Sequence, residues 1–155
     1  MTKKAKIYLD TSVFGGFFDK EFEKYTKPLF ERIIAGEFIL IFSALIQEEL
    51  EAAPQYVKDL IPLIKNNFTQ TVETTNEAVT LAREYITENV VGETSLSDCV
   101  HIALATIHNA DYSISWNFKH IVNVQRIRGY NTINLRNGYH LLEIRSPREF
   151  AYENK

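Results

Sequence analysis

The sequence predicts an α/β domain with a mostly parallel central sheet flanked by helices. Two observations carry that reading. Short apolar runs, beginning with Ile7-Tyr8-Leu9, alternate with longer stretches whose apolar residues recur at helical spacing. The run Phe38-Ile39-Leu40-Ile41-Phe42 is apolar at every position, as expected of a strand buried on both faces. A length of 155 residues and 45% hydrophobic content suit one core. With four Pro, six Gly, no linker and no internal repeat, residues 1–155 read as a single domain.

The elements follow in order. Ala5 to Leu9 is a strand that ends at Asp10 and a small-polar turn, Thr11-Ser12. Thr26 with Pro28 opens a helix carrying Leu29, Phe30, Ile33 and Ile34, which Gly36 ends. After the second strand, Ser43 is an N-cap for a helix through about Glu51. Gln55 to Asn66 is expected to be helical despite Pro62, and Thr69 to Thr74 to be an edge strand. Asn76 to Glu88 is an amphipathic helix, and Leu96 to Asn109 a helix buried on most sides. Tyr112 to Ser115 is a short strand running into Trp116-Asn117. A helix through Arg136 with Gly138 as its left-handed cap comes next, then a strand over Tyr139 to Ile144. Ser146-Pro147-Arg148-Glu149 has capping-box spacing and starts a terminal helix.

Composition excludes several classes. The lone Cys99 allows neither an internal disulfide nor a thiolate zinc site and reads as a small core residue. The opening Met1-Thr2-Lys3-Lys4-Ala5-Lys6 lacks a signal peptide's apolar stretch, and no apolar run reaches membrane-spanning length. A cytoplasmic protein with no membrane partner is expected. The net charge of −3 does not mark a nucleic-acid binder. Its distribution is more telling, because no carboxylate lies between Asp111 and Glu143, whereas Lys119, Arg126, Arg128 and Arg136 do. This stretch is either a solvated face or a phosphate-contacting rim.

Four polar residues share one setting, at a strand exit or near a helix start: Asp10, Glu49, Asp98 and Asn117. Each has a local explanation. Asp10 could be a turn or N-cap residue, and Asn117 a turn residue. Glu49 shares its helix with Glu48 and Glu51, and Ser95-Leu96-Ser97-Asp98 has capping-box spacing. None of these explanations accounts for all four recurring at the same edge of a sheet. Carboxylates gathered there repel unless a cation neutralises them. Hard oxygen donors without His or Cys select Mg²⁺ or Mn²⁺ over zinc. Such a site suits phosphodiester hydrolysis by water activated at the cation. The histidines show no metal-ligand arrangement with the acids; His101 and His108 read as helix-face residues, and His120 and His140 lie in the acid-free stretch. Gly15-Gly16 lacks the Lys and Ser/Thr of a phosphate loop. Phe14, Phe17, Phe18 and Tyr25 are core by default, with a groove or dimer surface as the other use.

Along nearly its whole length the chain resembles the PIN-domain nucleases. The resemblance rests on Tyr8-Leu9-Asp10-Thr11-Ser12, on residues Ser43 to Leu50, on Ser97-Asp98-Cys99-Val100-His101-Ile102-Ala103, and on Ser115 to Ile121. By motif match it implies that Asp10, Glu49 (chosen over Glu48 by its spacing from Ser43), Asp98 and Asn117 are the catalytic, metal-ligating set. Asn117 stands where Asp is commoner and lowers the charge available to a second metal. Within the family the chain looks most like the VapC-type toxins, small endoribonucleases paired with an antitoxin and often homodimeric. The segment Trp116-Asn117-Phe118-Lys119-His120 points to a branch distinct from the best-known members. The resemblance therefore implies a Mg²⁺- or Mn²⁺-dependent ribonuclease, with an antitoxin partner and a homodimer as its expected associations. Thr11 and Ser12 are candidates to bond a carboxylate or the scissile phosphate, and Lys119, His120 and Arg126 to contact RNA. Two rivals stay open: a non-catalytic PIN-like module that holds RNA or a metal, and a phosphohydrolase using Asp10 as nucleophile. The second needs a companion Lys and a second Asp close behind Asp10, and Thr11-Ser12-Val13 supplies neither.

Overall fold

A computed structural model describes residues 3–92 and 95–155. Met1 and Thr2, the start of the basic opening stretch, lie outside the described residues, as do Glu93 and Thr94. Among the described residues five strands form one parallel sheet. They are β1 (Lys6–Leu9), β2 (Ile39–Ser43), β3 (Thr69–Val72), β4 (Tyr112–Ile114) and β5 (Glu143–Arg145), in the spatial order β3-β2-β1-β4-β5. The helices are α1 (Thr11–Gly16), α2 (Glu23–Ile34), α3 (Ala44–Glu51), α4 (Gln55–Lys58), α5 (Asn76–Thr87), α6 (Leu96–Ile107), α7 (Val124–Arg136) and α8 (Pro147–Glu153).

β1 is the middle strand, and its Ile7, Tyr8 and Leu9 are completely buried. From β1 the chain builds β2 and then β3 on one side, and later returns to place β4 and β5 on the other. The order therefore reverses at the seam between β1 and β4, where Tyr8 is in register with Ser113 and Leu9 with Ile114. In open parallel sheets, the crevice outside the carboxyl ends of the strands at such a reversal is where ligands bind. The Asp10 N–H extends the seam by one residue, donating to the Ile114 carbonyl at 3.2 Å.

The caps follow the expected chemistry. Ser43 Oγ accepts the Ile46 N–H at 3.1 Å. The Ser146 capping box forms in both directions, and Gly138 is left-handed at φ +82°. α6 is buried over Cys99–Thr106. Its Thr106 joins a polar link between helices in which Tyr85 of α5 donates to Asn134 Oδ1 and Asn134 Nδ2 donates to Thr106 Oγ1 at 3.1 Å.

Four expectations need correction. Thr11-Ser12 is not a turn but the first turn of α1. α2 begins at Glu23, and Pro28 lies inside it on the exposed face, where solvent can serve the carbonyl that Pro leaves free. No continuous helix spans 55–66. α4 stops at Lys58, and 3₁₀ turns follow at Ile61–Leu63 and Asn66–Phe68, because Pro62 has no N–H to continue an α-helix through 55–66. β5 is shorter than read, because the Asn131 side chain takes the hydrogen bonds a strand would use at Leu142. Its Nδ2 donates to the Leu142 carbonyl at 3.0 Å, and its Oδ1 accepts the Leu142 N–H at 2.7 Å.

Gly16 ends α1 against the Trp116 indole. A Cβ there would sit 2.8 Å from the ring and 3.1 Å from Thr26 Oγ1, to which the indole N–H donates at 2.9 Å. Gly16→Ala should therefore destabilise the protein by about 1–3 kcal/mol through overpacking. Urea unfolding will show this as a lower midpoint with an unchanged m-value.

Candidate active site

Asp10 leaves β1 at the seam, and its residue is only 5% exposed. Its backbone is extended (φ −78°, ψ 172°), as an N-cap requires, but its side chain makes no cap hydrogen bond. Two hydroxyls hold the carboxylate instead. Ser12 Oγ donates to Oδ1 at 2.6 Å and Ser115 Oγ to Oδ2 at 2.9 Å. Each hydroxyl is itself fixed from the loop after β4. The Trp116 N–H donates to Ser12 Oγ at 3.0 Å, and the Asn117 N–H to Ser115 Oγ at 2.9 Å. Burial pushes the Asp10 carboxyl above its usual range; His101, Ser12 and Ser115 counteract this, and the Asp98 charge adds to it.

Asp98 lies in the first turn of α6. The capping box expected of Ser95 is not there. Ser95 makes no side-chain cap, and its Oγ is buried without a partner. Burial also raises the Asp98 carboxyl; His120, His101 and the Asn117 amide offset the rise, and Glu49 reinforces it. Asn117 follows β4, and its Oδ1 accepts the His120 N–H at 2.9 Å, which fixes the side chain in its turn.

Glu49 behaves differently. It is half-buried on α3 while Glu48 is exposed, so the geometry selects Glu49 as the acid that faces the crevice. Thr11 Oγ1 donates to its Oε1, and Ser97 Oγ donates to its Oε2 at 2.6 Å. His101 Nε2 lies 2.7 Å from Oε1. Burial opposes ionisation of Glu49, but the bonds from His101, Ser97 and Thr11 outweigh it and pull the carboxyl down to about 2.

His101, read from the sequence only as a helix-face residue, is 2% exposed and set between Tyr8 and Glu49, a placement the sequence did not point to. The signal available was its spacing. Ser97 and His101 are i,i+4 on α6, with Asp98 three residues before His101, so all three share one side of the helix. The remaining candidates separate. Thr11 and Ser12 are both engaged with carboxylates. Lys119 is exposed and His120 half-buried. Arg126 donates to the Val90 carbonyl, and Arg136 pairs with Glu84 and Glu88, so two cations of the acid-free stretch are committed to the fold. Cys99 is core as expected, and burial pushes its thiol up to about 12. Of the aromatics, Phe14 is core, whereas Phe18 is 38% exposed.

Among the described residues no three His, Cys, Asp or Glu side chains stand in a ready-made metal-binding cluster. The donor chemistry nevertheless fits a hard cation at Asp10 and Asp98, with Asn117 beside them. Both carboxyls are raised, each is affected by a neighbouring acid, and none of the ion pairs among the described residues involves either. Glu49 is close enough for its charge to add to the rise of the Asp98 carboxyl, and three donors hold it. Trp116 and Phe118, on either side of Asn117, line a groove of about 730 Å³ that runs to Tyr25 and Arg148. No described helix is long and apolar enough to cross a membrane.

Residues 7–114 match the family model of the PIN domain. Among solved structures the chain is similar to VapBC2 from Rickettsia felis bound to a DNA fragment from the promoter. The TM-score is 0.58 at 13% identity, over 91% of this chain and 98% of that one. At that identity the likeness is one of fold. Comparison with curated proteins gave no match.

The two kinds of carboxyl predict opposite effects in the metal-free protein. Asp98→Asn should leave the melting temperature equal or higher, because it removes a charge whose burial is unfavourable. Glu49→Gln should lower it by about 2–4 °C per kcal/mol lost. The pH dependence follows the same signs. Glu49, at about 2 against its usual 4.5, contributes stability in full above pH 4.5, and that contribution fades as pH falls from 4.5 toward 2. Asp10 and Asp98, raised when folded, cost stability while ionised, and the cost is relieved as pH falls through their folded values. Acid titration of the melting temperature in the wild type and both variants checks these signs.

Proposed function

This chain belongs to the PIN-domain family of nucleases, and on that premise we propose that it is a Mg²⁺- or Mn²⁺-dependent endoribonuclease whose site is built from Asp10, Glu49, Asp98 and Asn117. The observation that carries this reading is the buried Asp10 carboxylate at the sheet's reversal point, raised in part by Asp98 and paired with no Lys or Arg among the described residues. A structural carboxylate in that position would be expected to carry a basic partner or a cap bond.

Asp10, Asp98 and Asn117 are the residues that would hold the cation, with Glu49 as the fourth donor at the edge of the site. When bound, it supplies Lewis-acid chemistry: a lower pKa for the attacking water and relief of charge on the phosphate. The chain's own groups do the rest. Ser12 and Ser115 keep both Asp10 oxygens oriented, so the carboxylate need not reorganise when substrate arrives. Glu49, held ionised by Thr11, Ser97 and His101, keeps a second negative charge at the edge of the site. Thr11 and Ser12 therefore orient carboxylates, and phosphate contact falls to exposed Lys119. Phe118, 51% exposed beside Asn117, offers an aromatic face to an unstacked base. The VapC-type resemblance and the fold likeness to VapBC2 support an antitoxin partner, with a homodimer as the assembly.

The test is cleavage of a labelled single-stranded RNA with Mn²⁺ and with EDTA. Cleavage should need the cation, and Asp98→Asn should slow it by about 10²- to 10³-fold. The wild type should be stabilised by about 2.7 kcal/mol at a Mn²⁺ concentration one hundred times its Kd, and Asp98→Asn should lose most of that. RNA binding with no turnover under any divalent cation would favour the non-catalytic module instead.

Asn117 and Lys119 have separable roles. Asn117→Ala should slow cleavage while Mn²⁺ still stabilises the protein, and Asn117→Asp should keep or raise cation affinity by adding charge at the same reach. Lys119→Ala should weaken RNA binding and reduce the slope of log affinity against log salt by about one, with cation affinity unchanged. Isothermal titration with Mn²⁺ and fluorescence anisotropy with RNA at several salt concentrations measure both.

A further inference from the structure

A line of hydrogen bonds runs from the N-cap of α3, through the core, to the Glu49 carboxylate. Ser43 Oγ accepts the Ile46 N–H at 3.1 Å and lies 2.9 Å from the Tyr8 hydroxyl. The hydroxyl lies 2.6 Å from His101 Nδ1, and His101 Nε2 lies 2.7 Å from Glu49 Oε1. Ser43 and Tyr8 are completely buried and His101 almost so, while the Glu49 side chain is 30% exposed. One order of donors satisfies every member with a neutral ring. An ionised carboxylate only accepts, so Nε2 carries the proton and Nδ1 accepts from Tyr8. The Tyr8 oxygen then accepts from Ser43, whose own oxygen takes the helix N–H.

The line joins three elements, because Ser43 ends β2 and caps α3, Tyr8 belongs to β1, and His101 belongs to α6. It then returns to α3 at Glu49, one and a half turns beyond the cap where it began. Both ring nitrogens are thus spoken for, and the ring cannot rotate without leaving two buried groups unpaired. Thr11 and Ser97 approach the same carboxylate from α1 and α6. They are single hydroxyls free to turn. Of the three donors to Glu49, only His101 is locked from behind.

We propose that His101 is a positioning residue: braced by Tyr8, its imidazole fixes the orientation of the Glu49 carboxylate and so sets how the site receives its cation. The consequence for the cation rests on the nuclease reading; the brace itself does not. Outer groups that orient a ligating side chain commonly contribute 10- to 100-fold in metal affinity or activity.

Three variants of the full chain test this. His101→Ala should weaken Mn²⁺ binding, read as the midpoint of thermal stabilisation, by about 10- to 100-fold. His101→Gln, whose amide can still donate to Glu49, should recover most of the loss. Tyr8→Phe, nearly isosteric, should give a smaller loss while keeping the fold, so the idea stays testable even if His101→Ala does not fold. An unchanged or tighter Mn²⁺ midpoint in folded His101→Ala, or an unchanged one in Tyr8→Phe, overturns the proposal. The brace is also read without metal. The ¹⁵N shifts of the His101 ring at pH 8 should report a single Nε2–H tautomer in the wild type and a mixture in Tyr8→Phe. A wild-type ring protonated at Nδ1, or already a mixture, overturns it as well. Should the wild type respond to no divalent cation and cut no RNA, the nuclease reading falls, and the ring tautomer alone decides the brace.

Discussion

The placement of Asp10 is the constraint around which the site is organised. A carboxylate at the carboxyl end of a completely buried central strand must be satisfied from close by, and here two serines do it across the seam between β1 and β4. Those serines are in turn held by backbone N–H groups of Trp116 and Asn117. Orienting one acid therefore also orients the loop that carries Asn117, and the loop's Trp116 is wedged against Gly16 and Thr26. Fold and site are coupled through this one group.

The three acids are not equivalent. Asp10 is buried and Asp98 half-buried, and both are held above their usual ionisation range, a state that a cation would relieve. Glu49 is held below its usual range by three donors and is comfortable as an anion without help. Such a division lets the site keep charge at its edge while concentrating unfavourable charge at its centre.

α6 contributes more than core. Its apolar length packs against α5 and β4, while its first turns carry Ser97, Asp98 and His101, of which Ser97 and His101 reach Glu49. The buried link from Tyr85 through Asn134 to Thr106 ties the far end of the same helix to α5 and α7. A helix anchored at both ends can hold a carboxylate against repulsion better than a loop can, which suits the position of Asp98.

Sequence alone determined the strands β1 and β2, the helices α3, α5 and α6, the caps at Ser43, Gly138 and Ser146, and the four candidate ligands. Those features rest on periodicity and on local hydrogen bonding, which neighbouring residues dictate. Local rules also offered false alternatives, such as a Ser95 cap for Asp98 and a turn at Thr11-Ser12, and nothing within a few residues could reject them. Tertiary structure decided those cases. The Asp10 carboxylate is held by Ser115, 105 positions away, as well as by Ser12, instead of capping its own helix. Glu49 was separated from Glu48 by Thr11 and Ser97, Arg126 was drawn to Val90, and β5 was shortened by Asn131. His101 stayed hidden for the same reason. Its meaning comes from Tyr8 and Glu49, which lie 93 and 52 residues away and meet it only once the sheet has closed.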